Sequence, residues 1–144
     1  RAAGTDEKRA LEELQLRASL ANEGDREHLL ENPGIISIPD EQILGGLVHV
    51  AYRGPERLGF AAILLDGDGT IELDGLFIEP AYWRRGIGRM LVDHCILMAR
   101  KTGAHAIRVI ANPHALDFYH SCGFERLDTT KTQFGPAHRM QRQF

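Results

Sequence analysis

The sequence predicts an α+β fold, built on a mixed, mostly antiparallel central sheet with helices on both faces. Three observations predict this class. The N-terminal third has the residue spacing of short amphipathic helices, the middle has β-rich runs separated by turns, and the last part alternates between helix and strand. A chain of 144 residues is long enough to form one domain with its own core. We therefore interpret residues 1–144 as a single domain, whose first strand is expected to be cut short at the N-terminus.

The N-terminal third is predicted to be helical and irregular. Leu11, Leu14 and Ala18 recur at helical spacing with charged residues between them. The polar residues 5–6 can cap this helix, and the Asn-Glu-Gly-Asp run at 22–25 ends it. The predicted helical segments span residues 5–21, 26–31 and 39–44.

Three strands are predicted to follow as an antiparallel meander. Leu58–Leu65 is a near-continuous apolar run, as expected of a central strand. Asp66–Gly69 has the composition of a hairpin turn, which connects this strand to the next one. The predicted strands span residues 47–52, 58–65 and 70–78.

The last part of the chain returns to alternating helices and strands. A helix is predicted over Gly86–Thr102, where the apolar residues fall on one face. This helix joins the strand that ends at Ile78 to the strand Ala106–Ala111, and a crossover of this kind makes two strands parallel neighbours. The remaining predicted elements are a short helix and two strands, over residues 115–122, 124–127 and 137–143.

Composition and charge exclude several classes of protein. The net charge is −3 and the pI is about 6.2, so nucleic acid is not an expected partner. No apolar run is long enough to span a bilayer, and we find no signal-peptide pattern. Cys95 and Cys122 lack motif spacing, which favours reduced thiols in a cytoplasmic protein, with a single disulfide as the alternative.

The stretch Leu73–Leu91 carries a first functional signal. Its apolar strand ends before Pro80, and a basic turn with Gly86 and Gly88 leads into the predicted helix. Glycines allow successive N–H groups to point into one concavity, and the positive end of the helix dipole adds to the attraction, so the turn favours a diphosphate. The surrounding cations are Arg84, Arg85 and Arg89.

This turn matches neither of two familiar phosphate loops. A Walker-type loop needs Lys and then Ser or Thr after its last glycine, where this chain has Arg89 and Met90. A dinucleotide-binding fingerprint needs a third glycine, where this chain has Leu91. On the turn alone, a glycine-containing connection without any ligand is an equally good interpretation.

A second motif, Asn112–Phe124, reads N-x-x-A-x-x-F-Y-x-x-x-G-F. It resembles the C-terminal motif of the GNAT superfamily of N-acetyltransferases. The segment Trp83–Gly88 resembles the Q/R-x-x-G-x-G/A loop with which that superfamily holds the diphosphate of acetyl-CoA. One helix and one strand separate the two motifs, as in the family, and the resemblance covers residues 73–127. Trp83 departs from the family pattern, which has Gln or Arg at this position.

The resemblance implies a GNAT-like acyl-CoA N-acyltransferase fold. It also implies acetyl-CoA as the acyl donor and a primary amine as the acceptor, with direct attack in a ternary complex. The pantetheine arm would pair with a strand edge, in a gap where strands 70–78 and 106–111 part. The implied cofactor-binding residues are Leu76, Phe77 and Ile78 on that edge, Arg84, Arg85, Gly86, Ile87, Gly88 and Arg89 in the turn, and Asn112 and Phe118 in the second motif.

The same resemblance suggests catalytic groups. Tyr119 would be the acid that protonates the departing sulfur, and the alternative is an aromatic residue packed beside Phe118. The oxyanion donor would be a backbone N–H near Phe77. Glu72 and Asp74 lie two residues apart on one face of a strand, so either one could take the amine proton, directly or through water. A solvated strand face explains this pair equally well.

No metal site is predicted. The seven histidines do not have the spacing of metal ligands, and Asp66–Gly69 lacks the spaced acidic ligands of a calcium loop. The acceptor is not identified by the sequence: a small amine, an amino acid, an antibiotic or a protein amine all fit. The resemblance also suggests a homodimer, whereas the expectation of no membrane or nucleic-acid partner comes from the apolar runs and the net charge of the chain. Two other classes stay open, a non-catalytic acyl-CoA-binding module and a regulatory protein that uses the exposed strand face.

Overall fold

The computed structural model describes residues 1–21, 36–132 and 135–144. The helical segment predicted at 26–31 lies outside these ranges. Three short 3-10 turns are described, Thr5–Glu7, Pro80–Tyr82 and Pro113–Ala115. The described helices are α1 Lys8–Leu20, α2 Asp40–Leu44, α3 Ile87–Lys101 and α4 Leu116–Ser121. The described strands are β1 Val48–Arg53, β2 Glu56–Leu65, β3 Thr70–Ile78, β4 Ala106–Ala111, β5 Glu125–Thr132 and β6 Gly135–Gln143.

These six strands form one sheet in the order β1-β2-β3-β4-β6-β5. β3 and β4 pair in parallel, and the other neighbouring pairs are antiparallel. The predicted mixed, mostly antiparallel sheet is therefore confirmed, and so are the β1–β3 meander and the parallel crossover through α3. Near the N-terminus, Ala2 forms an antiparallel bridge with His49 of β1, where the sequence predicts the end of a first strand.

Helices cover both faces of the sheet, as predicted. On one face, Val92 and Cys95 of α3 share a core with Ile107 of β4 and with residues of α4. On the other face, α1 and α2 pack over β1, β2 and β3 around the fully buried Phe60. Beyond that second core no described helix covers the same face, where Ile110 of β4 is 48% exposed and Leu127 of β5 is 56% exposed.

Glu7 connects the N-terminal segment to the first two strands. Its side chain is only 4% exposed. It accepts hydrogen bonds from the N–H of Gly4 at 3.1 Å, from Nε of Arg57 at 2.8 Å and from the hydroxyl of Tyr52. Burial alone would raise the pKa of this carboxyl, but these three hydrogen bonds outweigh it and lower the pKa from 4.5 to about 2. An ionised carboxylate is therefore part of the fold at neutral pH.

β5 is longer than predicted, because the prediction ended this strand at residue 127. The following segment pairs with β6 from Asp128 to Thr132. Three of its residues are threonines, whose branched side chains favour strands. β5 lies at the edge of the sheet and is exposed along most of its length, so it lacks the alternation of apolar and polar residues on which the prediction relied.

Candidate active site

The two central strands part where the sequence predicts a gap. β3 and β4 are paired over four residues each, and this pairing ends at Leu73 and Val109. Beyond it, β3 remains paired with β2 as far as Ile78, and β4 remains paired with β6 as far as Ala111. A gap therefore opens between the carboxyl-terminal ends of β3 and β4.

A β-bulge at Asp74 helps to separate the strands. On β3, Leu73 and Gly75 are paired with consecutive residues of β2, so Asp74 between them is not paired with any residue of β2. A bulge bends its strand and increases the local twist. This one lies directly after the last residue of β3 that pairs with β4, so the bend begins where the gap begins.

The backbone of Leu76 and Ile78 forms the free edge of β3 in the gap. The N–H of Glu79 donates to the carbonyl of Leu58 in β2 at 2.9 Å. Because backbone groups alternate in direction along a strand, Phe77 also faces β2, whereas Leu76 and Ile78 face the gap. An oxyanion donor near Phe77 would thus be the N–H of Leu76 or Ile78, and not that of Phe77 itself.

The glycine turn presents N–H groups at the end of this edge. Arg84 and Gly86 have positive φ angles of 62° and 83°, and Gly86 is the N-cap of α3. The N–H of Met90 donates to the carbonyl of Gly86 at 3.1 Å. The N–H groups of residues 87–89 precede this bond and have no carbonyl partner within the helix. These donors and the positive end of the helix dipole favour an anion.

Gly88 allows the two sequence motifs to come into contact. A Cβ at this position would lie 3.1 Å from Cζ of Phe118 in α4, so any side chain here would press on that ring. The Phe118 ring packs edge-on against Tyr119, with 5.1 Å between the ring centroids. The turn and the second motif therefore lie side by side at the gap.

The three arginines of the turn have different surroundings. The guanidinium of Arg89 donates to the carbonyl of Ser121 at the end of α4, so this side chain braces α4 against α3. The backbone N–H of Arg89 is one of those at the start of α3, and the role of this residue in cofactor binding stays a prediction. The guanidinium of Arg85 lies over the ring of Tyr82 at 5.4 Å, and both Arg84 and Arg85 remain exposed beside the turn.

Trp83 is hydrogen-bonded to a backbone carbonyl on the free edge of β3. Its indole N–H donates to the carbonyl of Ile78 at 2.8 Å, and the residue is 41% exposed. Since this carbonyl faces the gap, the indole competes with any ligand that would pair with the edge of β3. The sequence marks Trp83 as a departure from the family pattern but does not reveal this contact.

Tyr119 and Asn112 lie on the β4 side of the gap. The Tyr119 ring is almost fully buried, and it packs against Phe118 and, at 5.4 Å, against Phe124. Burial raises the pKa of the Tyr119 hydroxyl above its usual value, so the group keeps its proton at neutral pH. Asn112 directly follows β4 and starts the 3-10 turn that leads into α4.

Glu72 and Asp74 lie on the sheet face opposite α3. The residues on either side of Glu72 point into the core beneath α3, and the Asp74 carboxylate accepts a hydrogen bond from Gln42 of α2 at 3.4 Å. Burial, and then the negative charges of Asp66 and Asp74, raise the pKa of Glu72. Sequence reasoning missed Gln42, because its contact with Asp74 joins positions 32 residues apart and leaves no local pattern.

Metal and membrane sites can be assessed for the described ranges only. Within residues 1–21, 36–132 and 135–144, no group of three His, Cys, Asp or Glu residues is placed to hold a metal ion. In the same part of the chain no helix is both long and apolar enough to cross a membrane. Cys95 and Cys122 are buried free thiols.

A mixed sheet that parts beside a helix-capping glycine turn defines the acyl-CoA N-acyltransferase class of fold. The profile of the Acetyltransferase (GNAT) family matches residues 9–124. This match covers most of the chain, and the protein belongs to that family.

Individual relatives agree with this assignment. The chain is 30% identical over 90 residues to the uncharacterized N-acetyltransferase YvbK of Bacillus subtilis, a match that covers 60% of this chain and 58% of YvbK. It thus spans less than two thirds of that relative. Among solved structures, the PaiA N-acetyltransferase of Thermoplasma acidophilum in complex with coenzyme A has a TM-score of 0.83 at 19% identity, over 100% of this chain and 97% of PaiA. The putative acetyltransferase YncA of Salmonella typhimurium with acetyl-CoA has a TM-score of 0.73 at 22% identity, over 99% and 91%. At these identities the two structures establish the fold.

Proposed function

We propose that the protein is an N-acetyltransferase that moves the acetyl group of acetyl-CoA to a primary amine by direct attack in a ternary complex. The observation that carries the proposal is the free edge of Leu76 and Ile78, which leads through the gap to the N–H groups of the turn. Pantetheine is an extended chain with amide groups and can pair with such an edge as an added strand. Its diphosphate then reaches a helix N-terminus, and membership of the GNAT family supports the same activity.

The proposed binding residues fall into three groups. The backbone of Leu76 and Ile78 holds the pantetheine arm. The turn Arg84–Arg89 holds the diphosphate through N–H groups and through the exposed guanidiniums of its first two arginines. Phe118 and Asn112 close the site from the β4 side.

The proposed chemistry is a set of proton transfers around a thioester that acetyl-CoA supplies. Glu72 or Asp74 takes a proton from the acceptor ammonium, directly or through water, so that its nitrogen can bond to the acetyl carbon. The N–H of Leu76 or Ile78 donates to the carbonyl oxygen as negative charge grows there. Tyr119 gives its proton to the sulfur as the carbon–sulfur bond breaks. The second proton lost by the nitrogen restores the Tyr119 hydroxyl, and the proton taken up by the carboxylate is released to solvent with the products.

Calorimetric titration with acetyl-CoA, followed by detection of released CoA thiol with a panel of amines, tests this proposal. We expect the wild type to bind, and the Arg84→Ala/Arg85→Ala double variant to bind about 10-fold more weakly because two charge-assisted contacts are lost. Arg126→Ala in β5 removes an exposed arginine away from the turn and should bind like the wild type. A folded wild type that does not bind acetyl-CoA would contradict the proposal.

Acetyl-CoA is expected to change the fluorescence of Trp83, the sole tryptophan of the chain, by displacing its indole from the Ile78 carbonyl. Adenosine 3′,5′-bisphosphate lacks the pantetheine arm and should leave the emission largely unchanged.

Trp83→Phe removes the competing N–H, and acetyl-CoA should then bind about 2- to 10-fold more tightly, the equivalent of one neutral hydrogen bond. Equal emission changes with both ligands, or weaker acetyl-CoA binding by the variant, would show that the indole does not compete with pantetheine.

The pH dependence of kcat/KM is expected to report the raised pKa of Glu72. A carboxyl with a raised pKa becomes a base only at higher pH, so activity should fall on acidification at pH values above those of an ordinary glutamate. Asp66→Asn removes a nearby negative charge and should move this acidic limb to lower pH. Glu13→Gln, at an exposed position of α1, should leave it in place. If Asp66→Asn does not move the limb, another group is the base.

A further inference from the structure

A cavity of about 300 Å³ lies on the part of the sheet that α1 and α2 leave open. Its lining includes Glu72 of β3, Ile110 of β4, Arg139 of β6 and Leu127 and Asp128 of β5. This volume is at the lower end of the range for small-molecule sites, so the cavity fits a compact ligand.

The strand registers place this cavity at the closed end of the gap. Glu72 is paired with Arg108, one position before the β3/β4 pairing ends, and Ile110 is the first residue of β4 beyond it. Ile110 is paired with Arg139 of β6, which is paired in turn with Asp128 of β5. A molecule in the cavity would therefore have Glu72 on the side of the gap and Arg139 on the side of the sheet edge.

The two ends of the cavity present different charged groups. Around Glu72 the carboxylates of Asp66 and Asp74 add negative charge, as their effect on the pKa of Glu72 indicates. At the other end, the guanidinium of Arg139 supplies a positive charge beside the carboxylate of Asp128. The exposed side chains of Ile110 and Leu127 form an apolar floor in the same cavity.

The existing contacts of the two arginines distinguish their roles. Arg108 also lines the cavity, but it donates to Gln141 at 2.9 Å and approaches Asp68 of the β2–β3 hairpin at 3.6 Å, so its guanidinium already has two partners. Arg139 lies 3.5 Å from Asp128, and both side chains are more than half exposed. An exposed pair of this kind contributes little to stability, so a ligand anion can replace or share the Asp128 contact at small cost.

We infer that the acceptor is a small amphoteric molecule, which carries a carboxylate in addition to the amine that is acetylated. Its ammonium group lies at Glu72, its apolar part lies over Ile110 and Leu127, and its carboxylate pairs with Arg139. Guanidinium and carboxylate match each other in geometry and form two parallel hydrogen bonds, which gives Arg139 a role in selecting the acceptor. This inference rests on the proposed function, because it assigns the second substrate of the same site.

The test compares acceptors that differ only in the carboxylate. Amino acids, their carboxamides and the corresponding decarboxylated amines are assayed for CoA release with the wild type, with Arg139→Gln and with Arg126→Gln as the control. For the wild type, we expect kcat/KM to be at least about 10-fold higher for the best amino acid than for its amide or amine, as one charge-assisted pair provides. Arg139→Gln should remove this preference and leave the decarboxylated amine unaffected, whereas Arg126→Gln should behave like the wild type.

Three outcomes would overturn the inference. The first is equal or better turnover of the decarboxylated amines by the wild type. The second is a loss in Arg139→Gln that is the same for all acceptors, which would indicate a structural role of the Arg139–Asp128 pair. The third is a protein that binds acetyl-CoA but acetylates none of these amines or any other, which would overturn the proposed function and the inference with it.

Discussion

Replacing Tyr119 with phenylalanine is expected to lower kcat by about 100-fold or more, the usual effect of removing a general acid. The hydroxyl lies in a buried site that keeps it protonated at neutral pH, as a proton donor to the departing sulfur must be. The phenylalanine ring can keep the contacts with Phe118 and Phe124, and the fold should be preserved. The measurement is steady-state CoA release at saturating acetyl-CoA and amine.

Two further measurements on the Tyr119→Phe variant separate catalysis from structure. The affinity for acetyl-CoA, measured by calorimetry, and the thermal unfolding midpoint should both stay near the wild-type values. An unchanged kcat would mean that Tyr119 is only a packed aromatic residue, which is the alternative the sequence leaves open. A lower kcat together with a lower unfolding midpoint would instead point to a packing role for the hydroxyl.

Glu7→Gln is expected to reduce the free energy of unfolding by about 2–3 kcal/mol at neutral pH. The Glu7 pKa of about 2 in the folded protein, against 4.5 for an unperturbed carboxyl, corresponds to roughly 3 kcal/mol of stabilisation of the ionised form. A neutral amide weakens the contacts with Arg57 and with Tyr52, both of which now meet a carboxylate. The measurement is urea unfolding of the wild type and the variant.

The pH dependence of unfolding gives the sign of this effect. Because the folded-state pKa of Glu7 is depressed, its stabilisation is present above the unfolded-state pKa and is lost as the pH falls from about 5 towards 2. The wild type and Glu7→Gln should therefore converge in stability on acidification. Glu13→Gln, which removes an exposed ion pair with Arg9 in α1, should cost less than about 0.5 kcal/mol. A Glu7→Gln protein as stable as the wild type at pH 7 would contradict the argument.

The sequence predicted the fold class and the turn because both depend on local patterns. The apolar run of β2, the glycines beside Arg84 and the spacing of Asn112 and Tyr119 are properties of short segments, and each segment is found in the expected element. The parallel pairing of β3 with β4 also followed from the chain, since a crossover helix separates them.

The features that escaped prediction depend on tertiary contacts. The side chain of Arg89 turns to Ser121 because α4 ends beside it, and the bulge at Asp74 is visible only against the register of β2. The same register decides that the backbone N–H and carbonyl of Phe77 point toward β2. Arg139 lines a cavity with Glu72 only because β6 inserts between β4 and β5. None of these contacts leaves a periodicity or a motif in the chain.

The short pairing of β3 with β4 divides the molecule into two halves that are hydrogen-bonded across the sheet over only four residues of each strand. Acetyl-CoA bound as proposed would contact Leu76 and Ile78 on one half and Phe118 on the other, and would hold the two halves together. The free energy by which the ligand stabilises the folded protein grows with the logarithm of its concentration, once that concentration exceeds the dissociation constant. Resistance to proteolysis, and with it the abundance of the protein, would then follow the acetyl-CoA supply of its surroundings.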